Sequence, residues 1–275
     1  MISLFSLMAV MIAAGQVQLP KPSPTQLLRQ DFGTSFIELT YSRPGLKGRK
    51  IIGEVEPYNK VWRTGANAAT RIRFGDAVEI LGHKVDSGTY VLYTIPQKKE
   101  EWTFILNRGT TNWGVDGYKE SEDVFRAKVR PAVLSPKLET LTMQFANLKP
   151  ESCDLLIKWE DFTLTIPITT SIREKVRAQV EKGLKSDKQP YWAAAQFYFE
   201  YDNDNIKALD MIKKAIVQNE KSAPFYMVYY KAKIQQKMGD KAGSRKSAME
   251  SMASAKEAKN DSYLSLNEKL LKELN

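Results

Sequence analysis

Residues 155–183 read LLIKWEDFTLTIPITTSIREKVRAQVEKG, and the fold turns on this stretch. Up to Ile168 the chain alternates: Leu164, Ile166 and Ile168 fall on one side, Thr163, Thr165 and Pro167 on the other. That is the period of a half-buried strand. After Thr170 the spacing becomes helical, and Ser171-Ile172-Arg173-Glu174 sets a Ser three residues ahead of a Glu, the pattern of a capping box. A β-domain therefore ends near position 170 and a helical domain begins.

Working back from the switch, candidate strands occupy Ser35–Tyr41, Thr70–Phe74, Ala77–Leu81, Thr89–Ile95, Trp102–Asn107, Val124–Val129, Leu141–Phe145, Leu155–Trp159 and Phe162–Ile168. β-Branched and aromatic residues fill them, and Gly, Pro, Asn and Asp fill the gaps. Leu81-Gly82-His83-Lys84 and Val85-Asp86-Ser87-Gly88 read as tight hairpin connections. No long amphipathic pattern interrupts them, which predicts an all-β, sandwich-like domain over residues 25–170. Working forward, helices are expected at Tyr191–Tyr201, Ile206–Asn219, Pro224–Met238, Ala242–Ala258 and Tyr263–Leu274. Trp192, Ala195, Ala208 and Ala215 recur thirty-four residues on as Tyr226, Tyr229, Ala242 and Met249, which is the tetratricopeptide period. The Gly239-Asp240 turn suits a register two residues later in the second repeat, with Ser244 at the small position. The expectation is an all-α, tetratricopeptide-like domain over residues 171–275. About two such repeats bury their apolar faces on the β-domain or on a partner.

The 275 residues carry 41 Lys/Arg against 32 Asp/Glu, a formal charge of +9. From Ser171 onward the count is 20 against 14, with the signs interleaved, as on a solvated helical surface. Nucleic acid is not the expected partner: the aromatic and basic residues around Phe225–Lys231 have the spacing of helix packing. One Cys (Cys153) and one His (His83) exclude an internal disulfide and any metal site built from several such ligands. The first residues, MISLFSLMAVMIAA, are uncharged and too short for a comfortable membrane span of ~20 residues. With Ala13-Ala14-Gly15 behind them they suit a signal peptide over residues 1–15. Residues 16–24, with Pro20, Pro22 and Pro24, follow as an extended linker. A periplasmic or secreted protein is expected, without a stable membrane span after signal removal.

One stretch departs from ordinary strand-and-turn sequence. Residues 41–70 read YSRPGLKGRKIIGEVEPYNKVWRTGANAAT and gather glycines, basic residues and flat aromatics. Arg offers a planar donor fork suited to carboxylate, phosphate or sulfate, and aromatics beside amides suit sugar faces. Arg43, Arg49, Trp62, Arg63, Thr64, Asn67 and Thr70 are the candidate ligand-binding residues, for a small anionic or glycan ligand. The same residues also suit bracing of the long loop: its backbone polar groups need partners, and Trp62 suits a plug in the sandwich core.

The block Tyr41-Ser42-Arg43-Pro44, Gly48-Arg49, Pro57-Tyr58, Val61-Trp62-Arg63-Thr64-Gly65-Ala66-Asn67 and Thr70 resembles the domain-of-unknown-function 2911 family. Gly88-Thr89-Tyr90, Thr94-Ile95-Pro96, Trp102 and Trp113-Gly114 extend the resemblance over roughly Pro22 to Ile168. It implies an exported protein of the kind common in Bacteroidetes-type bacteria, some of which carry repeat helices behind the domain. It implies no activity and supplies no catalytic residue.

Catalytic signatures are missing. His83 would have to serve any Ser-His-Asp triad, and it sits in the expected Gly82–Lys84 turn with no nucleophile elbow in the chain. No phosphate loop or dinucleotide fingerprint occurs, and Asp202, Asp204 and Asp210 lack the Gly and Glu of a calcium loop. No cofactor or metal is expected. Glu54, Glu56, Asp116, Glu120, Glu122 and Asp123 are available to a carboxylate-dependent hydrolase, and nothing singles out a pair. The leading expectation is an exported, non-enzymatic binding module of the cell envelope. The alternatives are a protein-interaction scaffold holding a peptide or protein partner on its helical repeats, and the hydrolase.

Overall fold

The computed structural model describes residues 19–98, 100–222 and 224–274. The signal-peptide reading of residues 1–15 and the first residues of the expected linker lie outside them. The chain divides after Thr170 into two compact units.

The first unit holds β1 (Thr25–Phe32), β2 (Ser35–Ser42), β3 (Thr70–Phe74), β4 (Val78–Ile80), β5 (His83–Val85), β6 (Gly88–Ile95), β7 (Trp102–Asn107), β8 (Asp123–Val129), β9 (Ala132–Lys149) and β10 (Ser152–Thr169). They form two sheets, in the orders β1-β2-β3-β6-β7-β8 and β5-β4-β10-β9, with every pairing antiparallel. Ile37, Leu39, Ile72, Phe74, Leu92, Phe104 and Leu106 of the larger sheet share one core with Ile80, Leu141, Met143, Leu155, Ile157, Leu164 and Ile166 of the smaller. Two faces closing on one core make the sandwich.

Several boundaries differ from the sequence expectation, each for a physical reason. β1 reads TQLLRQDF, too polar to register as a strand, because it is an edge strand whose residues are largely exposed or half-buried. Leu155–Trp159 and Phe162–Ile168 are one strand, β10, whose pairing with β9 shifts on both sides of Glu160. The inward residues are odd-numbered up to Trp159 and even-numbered from Phe162, so a bulge must switch the parity for one apolar face to stay inside. The first predicted hairpin turns at Leu81-Gly82, with φ of 51° and 81°, and His83 is already in β5 opposite Ile80. Val85–Gly88 is no hairpin: β5 belongs to the smaller sheet and β6 to the larger, so the chain changes sheets there.

β6 and β7 are buried on both faces. Val91, Tyr93 and Ile105 point away from the main core into a second, smaller cluster with Ala69, Val61, Ile95 and Tyr118. Loop residues thus roof the outer face of the central strands.

The second unit holds α1 (Arg173–Gly183), α2 (Tyr191–Glu200), α3 (Asn205–Gln218), α4 (Phe225–Lys237), α5 (Lys241–Glu257) and α6 (Asp261–Glu273). Asp204, Asp240 and Asn260 cap α3, α5 and α6, each accepting from the backbone N–H three residues on at 2.8–3.1 Å. Ser171 caps nothing; the N-cap position of α1 is Ile172, without a side-chain cap. Asp202 pairs with Arg177, and Asp210 with Lys214 at 2.7 Å. Trp192 packs edge-on against Tyr226 and Tyr230 at 5.6 and 5.0 Å, joining the first helices of the two repeats. Their second helices keep a different spacing. Ala208 and Ala215 are fully buried, and their buried counterparts are Ser244 and Ser251, thirty-six residues on, while Ala242 and Met249 are exposed. The serine hydroxyls bond the Ala232 and Phe225 carbonyls of α4, both at 2.8 Å, so they pack without an unmet donor. No helix among the described residues is long and apolar enough to cross a membrane.

This register makes Ser251→Leu an overpacking change that costs about 1–3 kcal/mol. Met249→Lys is expected to stay within about 0.5 kcal/mol of the parent. Urea unfolding followed by far-ultraviolet circular dichroism separates them; equal midpoints would break the thirty-six-residue correspondence.

Candidate functional site

The chain leaves β2 at Ser42 and returns in β3 at Thr70, so the loop between must satisfy its polar groups without a sheet. Arg43 does part of this, donating from Nε to the Leu141 carbonyl at 3.1 Å and from Nη2 to Thr142 Oγ1 at 2.9 Å. Arg49 folds onto its own loop, donating to the Leu46 and Gly45 carbonyls at 3.0 and 3.1 Å. Trp62 is 1% exposed, stacks on Trp159 at 5.9 Å, and donates from its indole N–H to the Gly65 carbonyl at 3.2 Å. Thr64 and Thr70 are fully buried; Thr70 donates to the Thr64 carbonyl at 2.7 Å, and the Thr64 and Thr94 hydroxyls meet at 3.1 Å. Asn67 donates to the Ser23 carbonyl at 3.2 Å and reaches Ser42 Oγ at 3.4 Å. Thr64 holds this position at φ 52°, a left-handed conformation that a β-branched residue adopts at a cost.

Arg63 differs from the other six. Among the described residues its guanidinium has no hydrogen bond or ion pair, and its Nε is buried without a partner. It lies against Gly114, where a Cβ would start 3.2 Å from Arg63 Nη1. Gly114 combines that close approach with a φ of 66°, so a side chain there would be strained as well as crowded. Tyr93 holds the Gly114 peptide from the other side, donating to its carbonyl at 3.3 Å. The preceding residue, Trp113, is 67% exposed. Glu56 is close enough for Arg63 to favour its charged form, yet burial is the larger effect and raises its carboxyl above the ordinary range. The two form no ion pair within 4.0 Å.

The other carboxylates considered from sequence fall elsewhere. Asp123 takes Arg126 at 2.6 Å, Tyr118 at 2.9 Å and Asn107 at 2.7 Å. In that network burial, with Asp123 beside it, pushes the Tyr118 phenol up to about 12. Glu120 pairs with Arg126 at 3.1 Å and Glu122 with Lys119 at 3.3 Å; Glu54 and Asp116 are exposed. His83 stacks on Phe125 at 4.5 Å. Cys153 is buried, and burial pushes its thiol up to about 11, far from a nucleophile's range.

A feature missed in the sequence is Glu160, at the bulge of β10. It is 5% exposed, has φ 49°, and one carboxylate oxygen accepts from the Ile51 and Ile52 N–H groups at 3.1 and 3.4 Å. The parity switch between Trp159 and Phe162 was the signal that could have found it.

The fold and site define a two-sheet β-domain with a long internally braced loop, in which the Arg63 guanidinium has no partner among the described residues, followed by repeat-like helices. The chain belongs to the family described as Protein of unknown function (DUF2911), which matches residues 23–168, more than half of its length. No curated protein and no solved structure matches it.

Because burial raises the Glu56 carboxyl, the folded chain takes up that proton before the unfolded chain does. This group's contribution to stability therefore improves as pH falls from neutral through its raised value and is complete below the ordinary 4.5. Glu56→Gln is expected to raise Tm at pH 7 and to flatten that part of the pH profile. A variant that melts lower at pH 7, with the slope kept, would contradict the assignment.

Proposed function

We propose that the protein is an exported, non-enzymatic binding module of the cell envelope whose β-domain takes an acidic saccharide at Arg63. One observation carries the reading: Arg63 presents a guanidinium without a partner among the described residues, against the glycine backbone of Gly114. A guanidinium in that state gains two charge-assisted hydrogen bonds when it meets a carboxylate. The exposed indole of Trp113, next in the chain to Gly114, offers the flat carbon face that a sugar ring packs on. Arg43, Arg49, Trp62, Thr64, Asn67 and Thr70 then serve the site by holding its loop, through the bonds described above. Export rests on the uncharged apolar segment of residues 1–15.

Calorimetric titration with galacturonate and glucuronate oligosaccharides tests the ligand. Arg63→Gln is expected to weaken binding by roughly 10- to 100-fold, the range for a hydrogen bond to a charged group of about 1.5–3 kcal/mol. Binding in the parent should tighten as pH falls toward the raised Glu56 value, because the competing carboxylate is neutralised first. Absence of binding to every uronate oligosaccharide, or equal binding by Arg63→Gln, would sink the reading. For export, cell fractionation is expected to recover a mature chain beginning at Gln16 outside the cytoplasm; a full-length chain confined to the cytoplasm would count against it.

A further inference from the structure

We propose that a second ligand site, for a neutral saccharide, lies in the cleft over the Glu160 bulge. The cleft has a volume of about 550 Å³, within the range of small-molecule sites. Its wall combines three aromatic rings, Tyr58, Trp102 and Phe162, with the polar side chains of Lys50, Glu160 and Asp161. Lys137 stands at the same place, 3.8 Å from Glu160 Oε1 and 3.4 Å from Asp161 Oδ2.

The charge pattern selects the ligand class. Lys137 meets both carboxylates and Lys50 adds a second ammonium to the lining, so the charges balance and neither a cation nor an anion is favoured as a whole. The wall thus carries both acceptors and donors, which suits hydroxyl groups, since each can both donate and accept. The carboxylate of Glu160 is divided between two tasks: Oε2 holds the Ile51 and Ile52 N–H groups, leaving Oε1 facing a lysine that is itself 62% exposed. A ligand hydroxyl can replace that loose contact at little cost. The Trp102 indole N–H is already bonded to the Gln97 carbonyl at 3.2 Å, and its ring packs on Phe162 at 4.6 Å. Both rings are nearly fully buried, at 3% and 5% exposed, so the accessible apolar surface for sugar C–H groups comes from half-buried Tyr58 and exposed Val133. Tyr58 is fixed by Gly53, where any Cβ would fall 2.4 Å from the Tyr58 ring. Glu160 adopts its left-handed backbone for the bulge that opens the cleft, and strain of this sort gathers at binding sites. The site stands on observations separate from those at Arg63.

The full chain titrated with cellotriose, maltotriose, mannotriose and tri-N-acetylchitotriose, by tryptophan fluorescence and saturation-transfer NMR, gives the test. At least one of these is expected to saturate below about 10 mM, and Tyr58→Ala is expected to weaken it by roughly tenfold or more. Tyr58 also packs against the main core, so Tyr58→Ala is expected to lower Tm; Tyr58→Leu, which keeps the apolar contact, is the folded control that should still weaken binding, while Glu160→Gln should weaken binding and also loosen the loop. Arg63→Gln should leave neutral-sugar binding unchanged, and Tyr58→Ala should leave uronate binding unchanged, so either site can fail without the other. No saturation by any of the four sugars would overturn the proposal. So would binding indifferent to Tyr58→Ala, or displacement of the sugar by n-butylammonium at matched concentration.

Discussion

Trp62 and Thr94 exchange two backbone hydrogen bonds, 2.7 Å and 3.0 Å, where the long loop crosses β6. That exchange decides where the loop lies. It directs the Trp62 indole into the core onto Trp159 and leaves the next residue, Arg63, on the opposite side. An indole buried to 1% contributes a few kcal/mol of transfer free energy, which adds to the Trp62–Thr94 bonds in holding the loop in place. The threonines at 64, 70 and 94 bond one another beside the indole, and the buried donor left unmet next to it is Arg63 Nε.

The segment from Ile51 to Tyr58 ties the two polar features of the domain together. Its start is held by Glu160 through two N–H groups, its middle supplies Glu56 near Arg63, and its end supplies Tyr58 to the cleft. Internal bonds from Gly53 and Glu56 keep it compact: Gly53 donates to the Glu56 carbonyl at 2.8 Å, and Glu56 to the Ile51 carbonyl at 2.9 Å.

The sequence made the architecture legible because periodicity is a direct record of burial. The change of spacing at Thr170 and the central strands β3, β6 and β7 carry it plainly. Edge strand β1 escaped because a strand with a free edge keeps polar residues, and the sheet change at Val85–Gly88 escaped because a crossing and a hairpin use the same turn residues. The repeat was legible in its first helices at thirty-four residues, and the Gly239-Asp240 turn already marked the two-residue displacement, with Ser244 at the small position, that a longer α4 imposes on the second helix. At the candidate site, composition picked out the block from Tyr41 to Thr70 and could not divide labour within it. Arginine tied to carbonyls and arginine left free look alike in one dimension; only the placement of Leu141, Gly45 and Gly114 separates Arg43 and Arg49 from Arg63. Glu160 was hidden because the acidic pair Glu160-Asp161 between two apolar runs reads as solvent-facing unless the parity on its two sides is compared.

The roofing of β6 and β7 by loops has an evolutionary corollary. Loops ordinarily absorb insertions and deletions, because they cover nothing. Here the stretch around Val61 and Ala69 and the one around Tyr118 shield Val91, Tyr93 and Ile105 from water. Lengthening either would bare apolar surface in the middle of the larger sheet, so these connections are held to a fixed span as firmly as the interior is held to a fixed volume. A change of residue type there alters packing alone, whereas a change of length uncovers the sheet.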